Sequence, residues 1–129
     1  MKTFIVEDSP MIRERLRSMI ASIPNIELVG ETDNEDDAVR EICMVCPDMV
    51  ILDLVLAKGS GMEVLRRIRE QPLASMVIVL TNHGYHQYQK KCLELGADYF
   101  MDKSREIETL SDLLVRLACG QHSHHEYKN

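Results

Sequence analysis

The sequence lacks both a long apolar run and an excess of positive charge. No apolar stretch approaches the roughly 20 residues that a helix needs to cross a bilayer. The 15 lysines and arginines are outnumbered by 21 aspartates and glutamates, which gives a formal net charge of -6. Nucleic-acid backbones and anionic membranes bind positive charge. The composition therefore argues against both as non-specific ligands and favours a cationic or apolar partner surface.

Signs of secretion are also missing. The first apolar run, residues 3–6, is ended by Glu7 and Asp8 and is far too short for a signal peptide. The four cysteines lie in helical patterns, so we expect reduced thiols and a cytoplasmic protein. Cys43 and Cys46 have the spacing of a redox or zinc pair, but no second ligand pair follows at a suitable distance. Packing on the sheet is the favoured interpretation of these cysteines.

Five short apolar runs alternate with segments of helical periodicity. We predict strands at residues 3–6, 26–30, 49–52, 77–80 and 99–101. We predict that helices start near Pro10, Asn34, Ser60 and Tyr85, and that a last helix has an apolar stripe from Ile107 to Leu117. Such alternation, with right-handed crossovers, forms a parallel sheet with helices on both faces. The predicted fold class is α/β, with a doubly wound, five-stranded parallel sheet.

The composition changes after Gly120, where the chain becomes polar. We expect one domain over residues 1–119 and a disordered polar tail over residues 120–129. The tail contains His122, His124 and His125. Because a mobile terminus with no further ligands is a poor metal site, disorder is favoured over metal binding there.

Polar side chains stand where the predicted strands end. Glu7 and Asp8 follow the first strand, and Asp53 follows the third. Thr81 follows the fourth strand, and Lys103 comes shortly after the fifth. The carboxyl ends of parallel strands share one edge of the sheet, and ligands bind in the crevice there. We therefore expect these five side chains to meet in space.

This set of residue types favours a phosphoryl-transfer site. Three clustered carboxylates repel one another unless a cation lies among them, and Mg²⁺ is the expected cation because it needs few protein oxygens and keeps several waters. With the charge neutralised, one carboxylate can attack phosphorus and become an acyl phosphate. Thr81 can donate its hydroxyl to one phosphoryl oxygen, and Lys103 can place its positive charge near another.

Several short motifs occur together in the chain: Glu7 with Asp8, Asp53 with Leu54, Gly59 and Gly61, then Thr81, and the segment GADYFMDK over residues 96–103. Together they resemble the receiver domain of two-component response regulators, in particular single-domain, chemotaxis-regulator-like ones. The resemblance extends from Lys2 to about Ala118. It implies a flavodoxin-like (βα)5 fold with strand order 2-1-3-4-5.

The resemblance implies a role for each acidic residue of the set. Asp53 is implied to be the phosphoacceptor. Asp8 and Asp53 are implied to bind Mg²⁺ directly, with Glu7 acting through water and Val55 contributing only its backbone carbonyl.

The resemblance also assigns phosphoryl-binding and switch residues. Thr81 and Lys103 are implied to contact the phosphoryl group. Thr81 and Phe100 match the switch pair, which couples Asp53 to the surface formed by the last two helices and the last strand. Val55 and His83 occupy positions that tune the lifetime of the phosphoryl group in this family.

Two departures from the family pattern stand out. Ala57 replaces a usual proline, and Ser104 follows Lys103 where a proline, commonly with a cis peptide, is usual. A cis bond before a residue other than proline costs about 2.5 to 4 kcal/mol. The Lys103–Ser104 bond is therefore either trans, with a rearranged loop, or held cis by local contacts.

The expected function is a switch in a phosphorelay. A sensor histidine kinase or phosphotransfer protein would phosphorylate Asp53, and the switched face would bind a downstream protein or a second copy of the chain. We expect no direct nucleic-acid contact, no membrane insertion and no catalysis beyond the chain's own phosphorylation and dephosphorylation. The alternatives are an inert receiver-like interaction module and a flavodoxin-like flavin or nucleotide protein. A Gly-rich phosphate loop, which would favour the latter, does not follow the first strand.

Overall fold

The structure is a computed structural model that describes residues 1–82 and 85–120, except for the side chains of Tyr85, His86 and Arg105. Strands and helices alternate throughout. The strands are β1 (Lys2–Val6), β2 (Glu27–Thr32), β3 (Met49–Asp53), β4 (Met76–Thr81) and β5 (Tyr99–Asp102). The helices are α1 (Pro10–Ala21), α2 (Glu35–Val45), α3 (Gly61–Arg69), α4 (Tyr85–Glu94) and α5 (Lys103–Ala118).

All neighbouring strands are parallel, and their order is β2-β1-β3-β4-β5. This confirms the predicted α/β fold and its strand order. Strand β2 lies at an edge and runs to Thr32, further than the predicted end at Gly30. The prediction relied on apolar residues alone, so it did not include the polar residues Glu31 and Thr32 in the strand.

Two hydrophobic layers cover the sheet, one on each face. One layer joins the sheet to α2, α3 and α4 through Phe4, Val50, Ala38, Ile42, Leu65, Ile68 and Cys92. The other joins it to α1 and α5 through Ile5, Ile51, Ile78, Leu16, Ile20, Leu110 and Leu114. Residues Val77 to Leu80 are fully buried, as expected for an interior strand covered on both faces. The rigid sheet fixes the positions of the residues at its carboxyl edge.

The cysteines are free thiols, as expected. Only Cys92 is fully buried, and burial raises the pKa of its thiol to about 11. Cys46 is exposed and ends α2 in a left-handed conformation, with φ of 47°. We expected Cys43 and Cys46 to pack on the sheet. Cys43 is half-buried, and the expectation is wrong for Cys46, which caps the end of α2 at the surface.

Helix α5 begins directly after β5, with no intervening loop. The described residues contain no cis peptide bond, so the Lys103–Ser104 bond is trans. Asp102 caps the helix, since its Oδ1 accepts hydrogen bonds from the backbone N–H of Ser104 at 2.8 Å and from its hydroxyl at 2.6 Å. Of the two arrangements compatible with the sequence, the structure adopts the trans bond, and β5 passes directly into α5.

Candidate functional site

Glu7 is the first residue beyond β1 and is almost completely buried. Its backbone N–H donates to the carbonyl of Thr32 at 3.0 Å, which ties it to the end of β2. Its Oε2 accepts from the backbone N–H of Ser9 at 2.9 Å, and its own carbonyl accepts from Arg13 Nη1 at 3.0 Å. The Glu7 carboxylate is therefore held in one orientation at the carboxyl edge of the sheet.

Lys103 joins the ends of two strands through its ammonium group. Its Nζ lies 2.9 Å from Glu7 Oε1 and 3.1 Å from Asp53 Oδ2. The ammonium is buried together with these two carboxylates. The structure thus brings three of the five predicted side chains into direct contact.

Burial raises the pKa of Glu7 to about 7. The loss of hydration is the largest cause, and the nearby Asp53 carboxylate raises the pKa further. The hydrogen bonds from Lys103 and Ser9 oppose this shift without cancelling it. Near neutral pH, Glu7 therefore exchanges between its protonated and ionised forms.

Asp53 is the last residue of β3 and is 4% exposed. Its Oδ1 lies 3.3 Å from the backbone nitrogen of Val55, whose side chain is half-exposed. The chain then folds back on itself: Val55 and Ser60 form an antiparallel bridge, and Gly61 donates to the carbonyl of Leu54 at 3.0 Å.

Gly61 is required by the close approach of this turn to the acceptor residue. A Cβ atom at Gly61 would lie 1.9 Å from the backbone oxygen of Asp53, too close for any side chain. The glycine thus lets α3 start directly against the end of β3. This contact sets the course of the chain around Asp53.

Thr81 lies on β4, the strand next to the acceptor's, and Phe100 lies on β5, the strand beyond it. In the sheet register Asp53 pairs with Leu80, so Thr81 is one residue beyond that pair at the same edge. Thr81 is completely buried. Phe100 pairs with Val79 and is 7% exposed, in the layer beneath α4. Its ring therefore already lies inside the protein.

Residues 3–115 match the family model described as the response regulator receiver domain. The chain belongs to this family. The receiver domain is 29% identical over 117 residues to the nitrate/nitrite response regulator protein NarL of Escherichia coli, covering 91% of this chain and 54% of that protein. It is 36% identical over 114 residues to a putative transcriptional regulator of Pseudomonas aeruginosa, covering 88% of this chain and 53% of that protein. It therefore spans about half the length of these curated relatives.

Solved structures give the same result for the fold. A DNA-binding response regulator of the LuxR family from Staphylococcus aureus superposes with a TM-score of 0.82 at 31% identity, covering 91% of the receiver domain and 98% of that chain. A two-component response regulator of the LuxR family from Aurantimonas superposes with a TM-score of 0.83 at 28% identity, covering 94% and 86%. No helix in the described part of the receiver domain is long and apolar enough to span a membrane.

The donors at the edge of the sheet suit a hard cation. Asp8 is half-buried, and its carboxylate has no hydrogen bond or ion pair with the residues that the structure describes. Among the described residues, the ammonium of Lys103 pairs with Glu7 and Asp53, and Asp8 adds a third acid, so negative charge remains to be neutralised. Carboxylate and carbonyl oxygens are the ligands that Mg²⁺ prefers. Within residues 1–82 and 85–120, however, no three His, Cys, Asp or Glu side chains are already grouped as a metal cage.

The predicted and the observed site residues differ at a few positions. His83 and the tail from residue 121 onward lie outside the described residues. Sequence reasoning missed Ser9 and Arg13, which hold Glu7 in place. The Ser9–Pro10 pair is a helix-start signal that would place Ser9 beside Glu7, but the contact made by Arg13 depends on the packing of α1 and has no sequence signature.

Proposed function

We propose that this receiver domain is a phosphorylatable switch with Asp53 as its phosphoacceptor. The observation that supports this most strongly is the buried contact of Asp53 Oδ2 with Lys103 Nζ at 3.1 Å. An ammonium group beside the attacking oxygen can neutralise a phosphoryl oxygen without being consumed. Asp53 also lies at the carboxyl edge of a parallel sheet, where such folds bind ligands.

The chemistry begins when a carboxylate oxygen of Asp53 forms a bond to phosphorus. The bond between phosphorus and the donor's leaving atom breaks, and that atom keeps the electron pair. The product is an acyl phosphate on Asp53. Lys103 is proposed to stabilise one phosphoryl oxygen by charge, and the Thr81 hydroxyl to donate a hydrogen bond to another.

Asp8, Asp53 and the backbone carbonyl of Val55 would hold Mg²⁺, with Glu7 acting through water. When bound, Mg²⁺ supplies charge neutralisation and alignment of the phosphoryl oxygens. The open carboxylate of Asp8 supports its role as a direct ligand. The carboxylate of Glu7 accepts from both Lys103 and the backbone N–H of Ser9, which hold it in place. Glu7 is therefore better suited to a supporting position.

The partners are proposed from the same site. A sensor histidine kinase or phosphotransfer protein would supply the phosphoryl group, and a downstream protein or a second copy would bind the face of α4, β5 and α5. Thr81 and Phe100 would couple that face to Asp53, while Val55 and His83 would set the phosphoryl lifetime. We place this activity in residues 1–119 and in the cytoplasm. No catalysis beyond the domain's own phosphorylation chemistry is proposed.

The test uses acetyl phosphate as a small phosphoryl donor and intact-mass analysis. The wild-type chain should gain one phosphoryl group with Mg²⁺ and none after chelation, and Asp53→Asn should gain none. Asp36→Asn, an exposed change away from the site, is the matched control and should behave as the wild type. A wild-type chain that gains no phosphoryl group would favour the inert interaction module instead.

A further inference from the structure

The loop that follows the phosphoacceptor is attached to the start of α2, which packs on the same face of the sheet as α3. This acceptor loop covers residues 54–60. The backbone N–H of Glu35, the first residue of α2, donates to the carbonyl of Lys58 at 3.0 Å. Asn34, the cap of α2, also forms a parallel bridge with Lys58. The tip of the acceptor loop is therefore paired with the backbone of α2.

The side chain of Glu35 adds a second attachment. Its Oε1 accepts from the backbone N–H of Ser60 at 3.1 Å, at the end of the acceptor loop. Gly59 stands beside it with φ of 92°, and a Cβ there would lie 2.4 Å from the Cβ of Glu35. The loop thus approaches Glu35 so closely, and in such a conformation, that only glycine fits at this position.

The other oxygen of Glu35 connects the loop to α3. Its Oε2 pairs with Arg67 Nη1 at 2.9 Å, and the same Arg67 nitrogen lies 2.9 Å from Asp36 Oδ1. The Glu35 side chain is 18% exposed, whereas that of Asp36 is 86% exposed. One carboxylate therefore links α2, the acceptor loop and α3. In the part of the chain that the structure describes, the ion pair of its neighbour Asp36 is with Arg67.

We propose that Glu35 is a positioning residue for the phosphoacceptor site, acting by fixing the acceptor loop. The loop carries the backbone N–H of Val55, 3.3 Å from Asp53 Oδ1, and the Val55 carbonyl. The bridge between Val55 and Ser60 transmits the position of Ser60 to Val55. Glu35 thus fixes the positions of the backbone N–H and carbonyl of Val55 relative to Asp53. The inference rests on the proposed function for its consequence, but the attachment itself can be tested independently.

The chain offers a closely matched control. Asp36 lies in the same helical turn, carries the same charge and contacts the same Arg67 atom, but it does not contact the acceptor loop. Glu35→Ala and Asp36→Ala each remove one acid from the first turn of α2. Glu35→Gln keeps an oxygen that can accept from Ser60 while losing the ion pair. The three variants separate the attachment of the loop from helix stabilisation and from the pairing with Arg67.

The first measurement is amide hydrogen exchange by NMR without metal or phosphoryl donor. Glu35→Ala should speed exchange of the Ser60 N–H by about tenfold or more, because local opening then loses one hydrogen bond and one ion pair. Asp36→Ala should change it by less than about twofold, and Glu35→Gln should retain most of the protection. Equal exchange in Glu35→Ala and Asp36→Ala would overturn the attachment.

The second measurement is Mg²⁺ titration by calorimetry. Glu35→Ala should weaken Mg²⁺ binding by about tenfold, the low end of the range for residues that orient a metal's ligands, while Asp36→Ala should leave it unchanged. Unchanged binding in a Glu35→Ala chain with a loosened Ser60 would overturn the positioning role. If wild-type Asp53 accepts no phosphoryl group although both measurements give the expected differences, the proposed function fails and the positioning role stands.

Discussion

The ammonium of Lys103 lies 3.1 Å from the carboxylate of Asp53 inside the protein, although the two residues belong to different strand–helix units. The same ammonium lies 2.9 Å from Glu7. A buried charge is stable only while its partners remain in place. Lys103 therefore serves both the stability of the sheet edge and the proposed phosphoryl chemistry.

Replacing Lys103 with methionine should destabilise the protein by about 3 kcal/mol near pH 8, because it leaves Glu7 and Asp53 buried without a counterion. The loss should be smaller near pH 6, where Glu7 can take up a proton instead. Urea unfolding at both pH values measures the difference. Lys91→Met, on the exposed side of α4, is the control and should cost less than about 0.5 kcal/mol. An equal loss at both pH values would contradict the coupling between Lys103 and Glu7.

The raised pKa of Glu7 predicts how stability depends on pH. Its pKa is about 7 in the folded chain and near its ordinary 4.5 in the unfolded chain, so between these values the folded state binds more protons. The contribution of Glu7 to stability therefore decreases as the pH rises through this window, by about 3 kcal/mol in all. Glu7→Gln should remove this slope, as seen by comparing urea unfolding across the window. Glu14→Gln, at an exposed site, should retain it.

The close approach at Gly61 predicts a strong effect of the smallest side chain. Gly61→Ala would bring a Cβ to 1.9 Å from the Asp53 carbonyl, so the acceptor loop or α3 must move. We expect a loss of about 2 kcal/mol or more in stability and slower phosphoryl uptake from acetyl phosphate. Gly120→Ala is a suitable comparison, because no atom lies within 4 Å of the Cβ position of Gly120. There, only the positive φ of 80° disfavours a side chain. A Gly61→Ala chain as stable and as reactive as the wild type would exclude this tight packing.

Arg69 forms a similar junction at the opposite end of the sheet. Its guanidinium donates to the carbonyls of Ser75 and Gly96 at 2.8 Å each and pairs with Asp98 at 3.3 Å. Arg69→Met should cost about 2 kcal/mol, because these acceptors lose their donor. Arg66→Met, which breaks only exposed pairs on the same helix, should cost less than about 1 kcal/mol. Similar thermal midpoints for the two variants would show that the Arg69 junction adds no stability.

The sequence predicted the fold well because its signals are local. Apolar runs define the strands, capping residues start the helices, and the parallel orientation of the strands follows from their alternation. The order of the strands was implied by the family resemblance. The same logic placed Glu7, Asp53 and Lys103 at one edge, where they contact one another. The strands proved longer than the apolar runs, since Asp53 and Thr81 belong to their strands.

Features that depend on packing could not be predicted in this way. The direct passage from β5 into α5 is accompanied by the capping of Ser104 by Asp102, a contact that forms only once the chain is folded. The hydrogen bond from Ser60 to Glu35 joins residues that are far apart in the sequence, and the sequence around either residue carries no motif that predicts it. The pKa of Glu7 depends on how deeply the edge is buried, which only the folded chain determines.

The most direct test of the central claim is chemical trapping of the phosphorylated residue. Borohydride reduces an aspartyl phosphate to homoserine, which peptide mass spectrometry can locate in the chain. After treatment with acetyl phosphate and Mg²⁺, homoserine should appear at position 53 and at no other acidic residue, and Asp53→Asn should give none. Reduction at Asp8 instead, or a phosphorylated chain that yields no reduced residue at position 53, would contradict the assignment of Asp53 as the phosphoacceptor.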